Sequence, residues 1–340
     1  MKKLGSAIIG YGSIGPIHAE AISNLPQVQL KAVVDLNKEA RERANNKYHC
    51  QVYEQYDQVL QDSEIQVIHI CTPHYLHVPM AIQAIQAGKH VLIEKPVAIN
   101  LKELADIKQI LKLYPNTYAG VIFQNRYNET SIKAKKMIEN KEIGEILGIK
   151  GILTWYRSED YYKKSDWRGK WETEGGGVLI NQAIHTLDLM QWLGGKIKAI
   201  KGSVDIRSLQ NIIEVEDTAE ATLYFESKYR GIFYATNSYT ENSSIELAVH
   251  GSQGNITLRD RQLILTKEGQ STIIAKDRGI QKGKPYWGSS HQKQIDDFYQ
   301  CIIQKKDYSI SIEEAGIAIE MIQGIYQSDR TERPYKMQYL

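Results

Sequence analysis

Residues Lys3–Asp35 read KLGSAIIGYGSIGPIHAEAISNLPQVQLKAVVD, and this stretch decides the fold. An apolar run (Ala7, Ile8, Ile9) leads into Gly10-Tyr11-Gly12-Ser13-Ile14-Gly15, then a helical pattern, then a second apolar run ending in Asp35. The pattern predicts a strand–helix–strand unit with a dinucleotide-binding turn. Gly10 permits the tight exit from the strand, Gly12 lets a pyrophosphate approach the backbone, and Gly15 lets the helix lie close on the sheet. Phosphate suits the helix N-terminus, where unpaired N–H groups and the dipole favour negative charge. Asp35 falls about 20 residues after Gly15, the offset of an acid that binds a ribose diol. A glycine-rich turn alone says little. The strand before it, the helix after it and the acid beyond make the binding reading the stronger one.

At 340 residues the chain exceeds what one core supports and predicts two domains. Apolar content of 42% and charged content of 24% are those of an ordinary globular protein. With 42 basic and 40 acidic residues the net charge is only +2, so no strong field steers nucleic acid or a membrane surface. No apolar run of about 18 residues exists to span a bilayer. The start, MKKLGSAIIG, passes straight into the glycine motif with no apolar leader and cleavage site, and a cytoplasmic location is expected. Cys50, Cys71 and Cys301 are odd in number and widely spaced, which argues against a disulfide framework or structural zinc.

Beyond Asp35 strands and helices keep alternating. Lys38–Lys47 is charged and helical, Val52-Tyr53 predicts a short edge strand, and Gln66–Cys71 an apolar strand followed by Thr72-Pro73. A helix over His74–Ala87 is closed by Gly88, where a left-handed cap costs least. Strand His90–Glu94 runs into Lys95-Pro96, followed by helix Leu101–Leu113 and strand Tyr118–Phe123. This rhythm predicts an α/β Rossmann domain with a doubly wound parallel sheet over residues 1–124.

Residues 125–340 read differently. A helix near Thr130–Asn140 precedes a long strand, Leu147–Arg157, and a polar, aromatic loop, Ser158–Glu174. Gly175-Gly176-Gly177 opens a helix of about Val178–Leu193. Period-two runs between Ile197 and Thr266, separated by turns, predict a large, mainly antiparallel open sheet. Helices near His291–Gln304 and Ile312–Ser328 complete this α+β domain, expected to bind substrate and to mediate oligomerisation.

Lys95 emerges at the carboxyl end of a predicted parallel strand, where ligands of open α/β sheets bind, so it is a candidate acid/base group. The plain alternative is a solvated strand-end lysine. On the helix after the glycines, Asn181 and His185 are four apart and share a face, with Asp188 three further on. His185 can relay a proton, Asn181 hold substrate hydroxyls and Asp188 orient the ring. Equally, His185 fits as a satisfied core histidine among Leu179, Ile184 and Leu187. His74 and His77 have the spacing of a metal pair, but no further ligand completes a set, and no metal is expected. Their place after a sheet strand favours the cofactor cleft. Trp167 and Arg168 stand in a loop whose aromatic and arginine mix suits sugar rings and carboxylates, or an oligomer contact or lid.

Together these residues resemble the glucose-fructose oxidoreductase/inositol dehydrogenase (Gfo/Idh/MocA) family over nearly the whole chain. The motifs are the glycine turn at 10–15, Cys71-Thr72-Pro73-x-x-x-His77, Ala87-Gly88-Lys89-His90-Val91-x-x-Glu94-Lys95-Pro96, and Gly175-Gly176-Gly177-x-x-x-Asn181-x-x-x-His185-x-x-Asp188. The resemblance implies that Lys95 and His185 flank the substrate and that Thr72, Pro73, His77 and Glu94 hold the nicotinamide half. Many members carry a carboxylate where this chain has Asn181, and an amide cannot ionise, which puts a three-member proton relay in doubt. The wording Asn-Gln-Ala-Ile-His is similar to members acting on sugars and nucleotide sugars.

The expected cofactor set is Gly10, Gly12, Ser13, Ile14, Gly15, Asp35, Leu36, Thr72, Pro73, His74, His77, Glu94, Lys95 and Gln124. The expected substrate set is Lys95, Trp167, Arg168, Asn181, His185, Tyr286 and His291, with Lys95 and His185 catalytic. The expected activity is that of an NAD(P)-dependent dehydrogenase acting on CH–OH groups of a sugar, polyol or sugar derivative. Asp35 predicts NAD over NADP, because a carboxylate repels a 2′-phosphate. The alternatives are an NAD-using glycosidase and a non-catalytic NAD- or sugar-sensing protein of the same fold. The expected partners are a small-molecule substrate and other copies of the chain, as a dimer or tetramer.

Overall fold

The computed structural model describes residues 3–277 and 290–339; Tyr286, expected near substrate, lies outside them. The chain divides into two units. The first is Met1–Gln124 with Ser290–Gly316, and the second is Asn125–Ser289 with Ile317–Leu340. The sequence reading kept 125–340 together, but helical periodicity does not say which core an apolar face joins.

In the first unit β1 (Leu4–Ile9), α1 (Gly15–Ser23), β2 (Val28–Val34), α2 (Lys38–Tyr48), β3 (Gln51–Tyr53) and α3 (Asp57–Leu60) come first. They are followed by β4 (Val67–Ile70), α4 (His77–Gln86), β5 (His90–Ile93), α5 (Leu101–Leu113) and β6 (Ala119–Val121). The sheet runs β3-β2-β1-β4-β5-β6 and every pairing is parallel, the Rossmann order of two halves diverging from β1 and β4. Its central strands are covered on both faces, so Ala7, Ile8, Val67, Ile68 and Ile70 all reach 0% exposure. Each fully buried aliphatic side chain contributes roughly 1.5–3 kcal/mol of transfer free energy. The helices begin and end where local chemistry directs. Asn37 caps α2 by accepting from Ala40 N, and Asn100 caps α5 by accepting from Glu103 N. Gly88 closes the α4 end with φ +73°.

The second unit holds α6 (Glu129–Glu139), β7 (Ile146–Thr154), α7 (Glu159–Lys163), α8 (Val178–Asn181) and α9 (Ile184–Gly194). Then come β8 (Ile197–Asp205), β9 (Thr218–Phe225), β10 (Arg230–Thr236), β11 (Glu246–Gly251), β12 (Gly254–Arg259), β13 (Gln262–Lys267) and β14 (Gln270–Lys276). Helix α10 (His291–Gln304) lies in the first unit, α11 (Ile312–Thr331) leads from one unit into the other, and β15 (Tyr335–Lys336) ends the order. The nine-stranded sheet runs β14-β13-β12-β11-β7-β10-β9-β8-β15. It is antiparallel except where β10 pairs with β7. Helix α9 lies close on β7, because a Cβ at Gly151 would collide with the Met190 and Thr186 side chains. Along β10 the side chains alternate: Phe233 and Ala235 are buried, whereas Ile232 is 63% exposed. Among the described residues no helix is long and apolar enough to cross a membrane.

The single helix expected over Val178–Leu193 is instead two. Ala183 N reaches back five residues to Val178 O, which interrupts the regular pattern between α8 and α9. Gln182, at the break, accepts from Asn237 Nδ2 at 2.9 Å, a tertiary contact that periodicity cannot reveal.

Candidate active site

The glycine turn separates into positions the protein requires and one it leaves open. A Cβ on Gly10 (φ +90°) would lie 2.6 Å from Cys71 O, and one on Gly15 would collide with Gly10 O. A Cβ on Gly12 would meet nothing within 4 Å. Packing therefore demands the outer two glycines, while the middle one fronts the open space a pyrophosphate needs. Ser13 and Ile14 complete the turn ahead of α1, whose first positions include Pro16.

Asp35 follows β2, its carboxylate held by two backbone donors, Tyr11 N at 2.6 Å and Asn37 N at 2.8 Å. Two further lone-pair directions remain for a diol. Leu36 beside it is 80% exposed. Arg41 donates to the carbonyls of Asp35 and Leu36 and pairs with Glu54 at 3.1 Å, so the nearest cation is already neutralised.

After β4, Thr72 Oγ1 is buried with no hydrogen-bond partner among the described residues, a hydroxyl positioned for a ligand. Together with the open Gly12 and the Asp35 carboxylate, this orphaned hydroxyl fits a dinucleotide. Pro73 follows it, and His74, 4% exposed, lies ring to ring with His77 at 5.8 Å. His77, expected near the cofactor, is fully engaged with the protein. Its Nδ1 lies 2.7 Å from Pro96 O and its Nε2 2.9 Å from Thr72 O, so its one ring N–H donates to one of these carbonyls and the other nitrogen packs against the second. Burial lowers its pKa despite both carbonyls. Gln124, 3% exposed, follows β6.

Glu94 and Lys95 leave the carboxyl end of β5, with a cis peptide between Lys95 and Pro96. From Val91 to Ile99 every residue is buried except Lys95, which is half-buried. Glu94 is 7% exposed, and burial alone would raise its pKa. Against that cost the His18 hydrogen bond at 3.0 Å, the His18 and His291 rings and the Lys95 charge together hold the carboxyl down at about 2. The Lys95 N–H donates to Glu94 at 3.2 Å. His291, expected at substrate, is instead buried in the first unit with Nε2 3.8 Å from Glu94 Oε1.

In the second unit two of the three glycines are required by close approach. A Cβ at Gly177 would overlap Glu216 O, and one at Gly176 would overlap the Tyr326 hydroxyl. Glu216 accepts from Gly177 N and Leu179 N and from Tyr326 Oη at 2.9 Å, anchoring the start of α8. From Val178 to Gln191 only Asn181 and His185 are not buried. Asn181 Nδ2 donates to Glu174, whose other oxygen accepts from Gly169 N. Burial pushes both Glu174 and Glu216 up to about 7, against these donors. Arg168 stacks over Tyr161 at 4.7 Å and Trp167 at 4.8 Å, and its Nε is buried without a hydrogen-bond partner among the described residues. Asp188 is taken up by Arg126 in a two-pronged pair of 2.8 and 2.6 Å.

Sequence reasoning missed Glu174, Glu216 and the His18 partnership. His18 carried one usable sign: it sits three residues past Gly15 on an otherwise apolar helix face.

A model of the oxidoreductase family's NAD-binding Rossmann fold matches residues 4–120, and one of the C-terminal alpha/beta domain matches residues 135–337. The chain is 26% identical to the levoglucosan dehydrogenase of Pseudarthrobacter phenanthrenivorans, over 86% of this chain and 82% of that one. It is 26% identical to the scyllo-inositol 2-dehydrogenase (NAD(+)) of Bacillus subtilis, over 97% and 95%. The solved structure of the WlbA dehydrogenase from Bordetella pertussis, in complex with NADH and UDP-GlcNAcA, superposes with a TM-score of 0.85 at 25% identity, covering 99% of each chain.

Proposed function

The chain belongs to the Gfo/Idh/MocA oxidoreductase family, and on that premise we propose that it oxidises a hydroxyl-bearing carbon of a sugar, polyol or sugar derivative with Lys95 as the base. It is an oxidoreductase whose first unit is an NAD-binding Rossmann domain. NAD, when bound, supplies the two-electron acceptor. Gly12 and the turn at 10–15 receive its phosphates, Asp35 its ribose, and Thr72 Oγ1 and Gln124 its nicotinamide half.

One observation supports this reading most directly. Lys95 is the single position left partly open in the buried run Val91–Ile99, at the strand end where such sheets bind ligands, with an ionised carboxylate preceding it. Its Nζ takes the hydroxyl proton during oxidation and returns it in the reverse direction. In the second unit His185, Asn181 and Arg168 offer groups that suit the hydroxyls of such a substrate. The relatives' printed substrates, an anhydrosugar, an inositol and a nucleotide-linked sugar acid, support a polyhydroxylated substrate with an oxidisable secondary alcohol.

Ile232 and Leu147, each 63% exposed on the open sheet, support self-association, and three free, buried cysteines support a reducing compartment. The test is absorbance of reduced nicotinamide with NAD and a panel of sugars, inositols and nucleotide sugars. Reduction with one class supports the proposal; release of an aglycone with no net reduction contradicts it.

A further inference from the structure

Inside the first unit a line of polar side chains runs through otherwise apolar packing and ends on Glu94. Glu94 Oε1 lies 3.0 Å from His18 Nε2, His18 Nδ1 lies 2.8 Å from His69 Nδ1, and His69 Nε2 lies 2.8 Å from Tyr299 Oη. Ser6 hydrogen-bonds the Tyr299 hydroxyl in turn. His18, His69 and Tyr299 are all 0% exposed and come from α1, β4 and α10. Burying four polar side chains in a row is costly unless each is satisfied, and here each has a partner on both sides.

The chemistry of the ends fixes the direction. Glu94, ionised, can only accept, so His18 Nε2 carries a proton. Burial pushes the Tyr299 phenol pKa up, so its O–H keeps its proton and must donate. Its strongest acceptor is His69 Nε2. Burial and the neighbouring His18 push the His69 pKa well down, so His69 is neutral and its one proton sits on Nδ1, aimed at His18. His18 Nδ1 is then the acceptor. Every donor in the line points toward Glu94, and no buried cation is needed. The line ends at Ser6, itself 0% exposed, whose one hydroxyl proton lies between the Tyr299 oxygen and Gln29 O at 3.2 Å, so it offers no proton exit to solvent.

We propose that Tyr299, His69 and His18 are positioning residues: a one-way hydrogen-bond array that fixes the His18 tautomer and keeps Glu94 an anion beneath Lys95. The inference rests on the reading that Glu94 and Lys95 face the nicotinamide. The other groups around Glu94 do not replace the array. His291 on α10 is 3.8 Å away, and burial lowers it to about 4, so it is neutral at neutral pH. Cys71 after β4 is kept a thiol by burial, His77 on α4 faces two carbonyls, and Lys95 contributes charge from its own strand. An anion there favours the cationic oxidised nicotinamide over the neutral reduced form, so the array sets the balance of affinities for the two.

The decisive experiment reads ring protonation directly, by long-range proton–nitrogen spectra of the histidine-labelled full chain at neutral pH. His18 is expected to be protonated at Nε2 and bare at Nδ1, and His69 protonated at Nδ1 and bare at Nε2. A proton on His18 Nδ1 overturns the array. The functional arm compares NAD and NADH dissociation constants for wild type, Tyr299→Phe and His69→Gln at about pH 5.5 and pH 8; one pKa unit corresponds to about tenfold. For the role to hold, losing the array must lift the Glu94 carboxyl from about 2 past the lower pH, so the variants should lose NAD affinity at about pH 5.5, with NADH affinity and the higher-pH values unchanged. Parallel loss at both pH values and for both cofactors means that the side chains only pack, and overturns the role. Absence of any cofactor binding would overturn the reading of Lys95 and Glu94, while the ring-protonation result would still decide the array.

Discussion

The amide of Asn181 donates to the carboxylate of Glu174, seven residues earlier and across the three glycines. The second unit thus keeps a buried carboxyl against a residue that cannot itself ionise. Burial pushes Glu174 up to about 7, against the pull of the Gly169 N–H, the Asn181 amide and the Arg168 charge. In the unfolded chain a glutamate ionises near about 4.3. As pH rises from about 4.5 to about 7 the unfolded state ionises first, and folding stability falls until the folded carboxyl ionises too. Glu174→Gln has no proton to lose, and it also relieves the repulsion between Glu174 and Glu216, which acts in the same direction. The thermal midpoint of the variant relative to wild type should therefore climb through that window and level off above it. A difference constant across the window contradicts the buried carboxyl.

Gly12 and Gly15 should fail differently. Gly15→Ala drives a methyl into Gly10 O and should lower the thermal midpoint. Gly12→Ala meets no protein atom within 4 Å, so it should leave the midpoint unchanged and weaken NAD about tenfold or more, roughly 1.4 kcal/mol. Equal midpoints with unchanged NAD affinity would remove Gly12 from the cofactor site.

If Asp35 holds the ribose as proposed, it sets the choice of dinucleotide. Wild type should bind NAD well ahead of NADP, because the carboxylate faces the 2′ position and Arg41 is tied to Glu54. Asp35→Ala should lose roughly tenfold in NAD affinity and narrow or reverse the preference. Competitive titration with both nucleotides reads this. A preference unchanged in the variant would assign the discrimination elsewhere.

Arg126 and Asp188 form a buried, two-pronged pair, 6% and 1% exposed, with the guanidinium also over Trp192 at 5.6 Å. Removing one partner strands the other charge, so Asp188→Asn or Arg126→Met should cost roughly 3–5 kcal/mol. The joint change of both should cost less than the sum of the two. Additive losses in thermal melts would show that the two act separately.

How much of this was legible in the sequence follows from which forces are local. The turn at Gly10–Gly15 and the acid at Asp35 are short-range constraints, so spacing announced both the parallel sheet and its ligand. Gly88 likewise announced a helix end. The break at Gln182 was invisible because it depends on Asn237, 55 residues away, and the return of α10 to the first unit because an amphipathic face does not name its partner. Glu174 looked like a loop charge, since nothing in its neighbours in sequence signals burial beside Asn181. His18 and His69 stand in apolar stretches far apart in sequence, and only the tertiary fold lines them up.

The most direct test of the central claim is steady-state turnover of Lys95→Ala beside wild type, with NAD affinity measured on both. With Lys95 as the base, kcat should fall by about 10²–10⁴ while NAD binds within a few-fold of wild type. Turnover within about tenfold of wild type, with NAD still bound, would contradict Lys95 as the group that carries the proton.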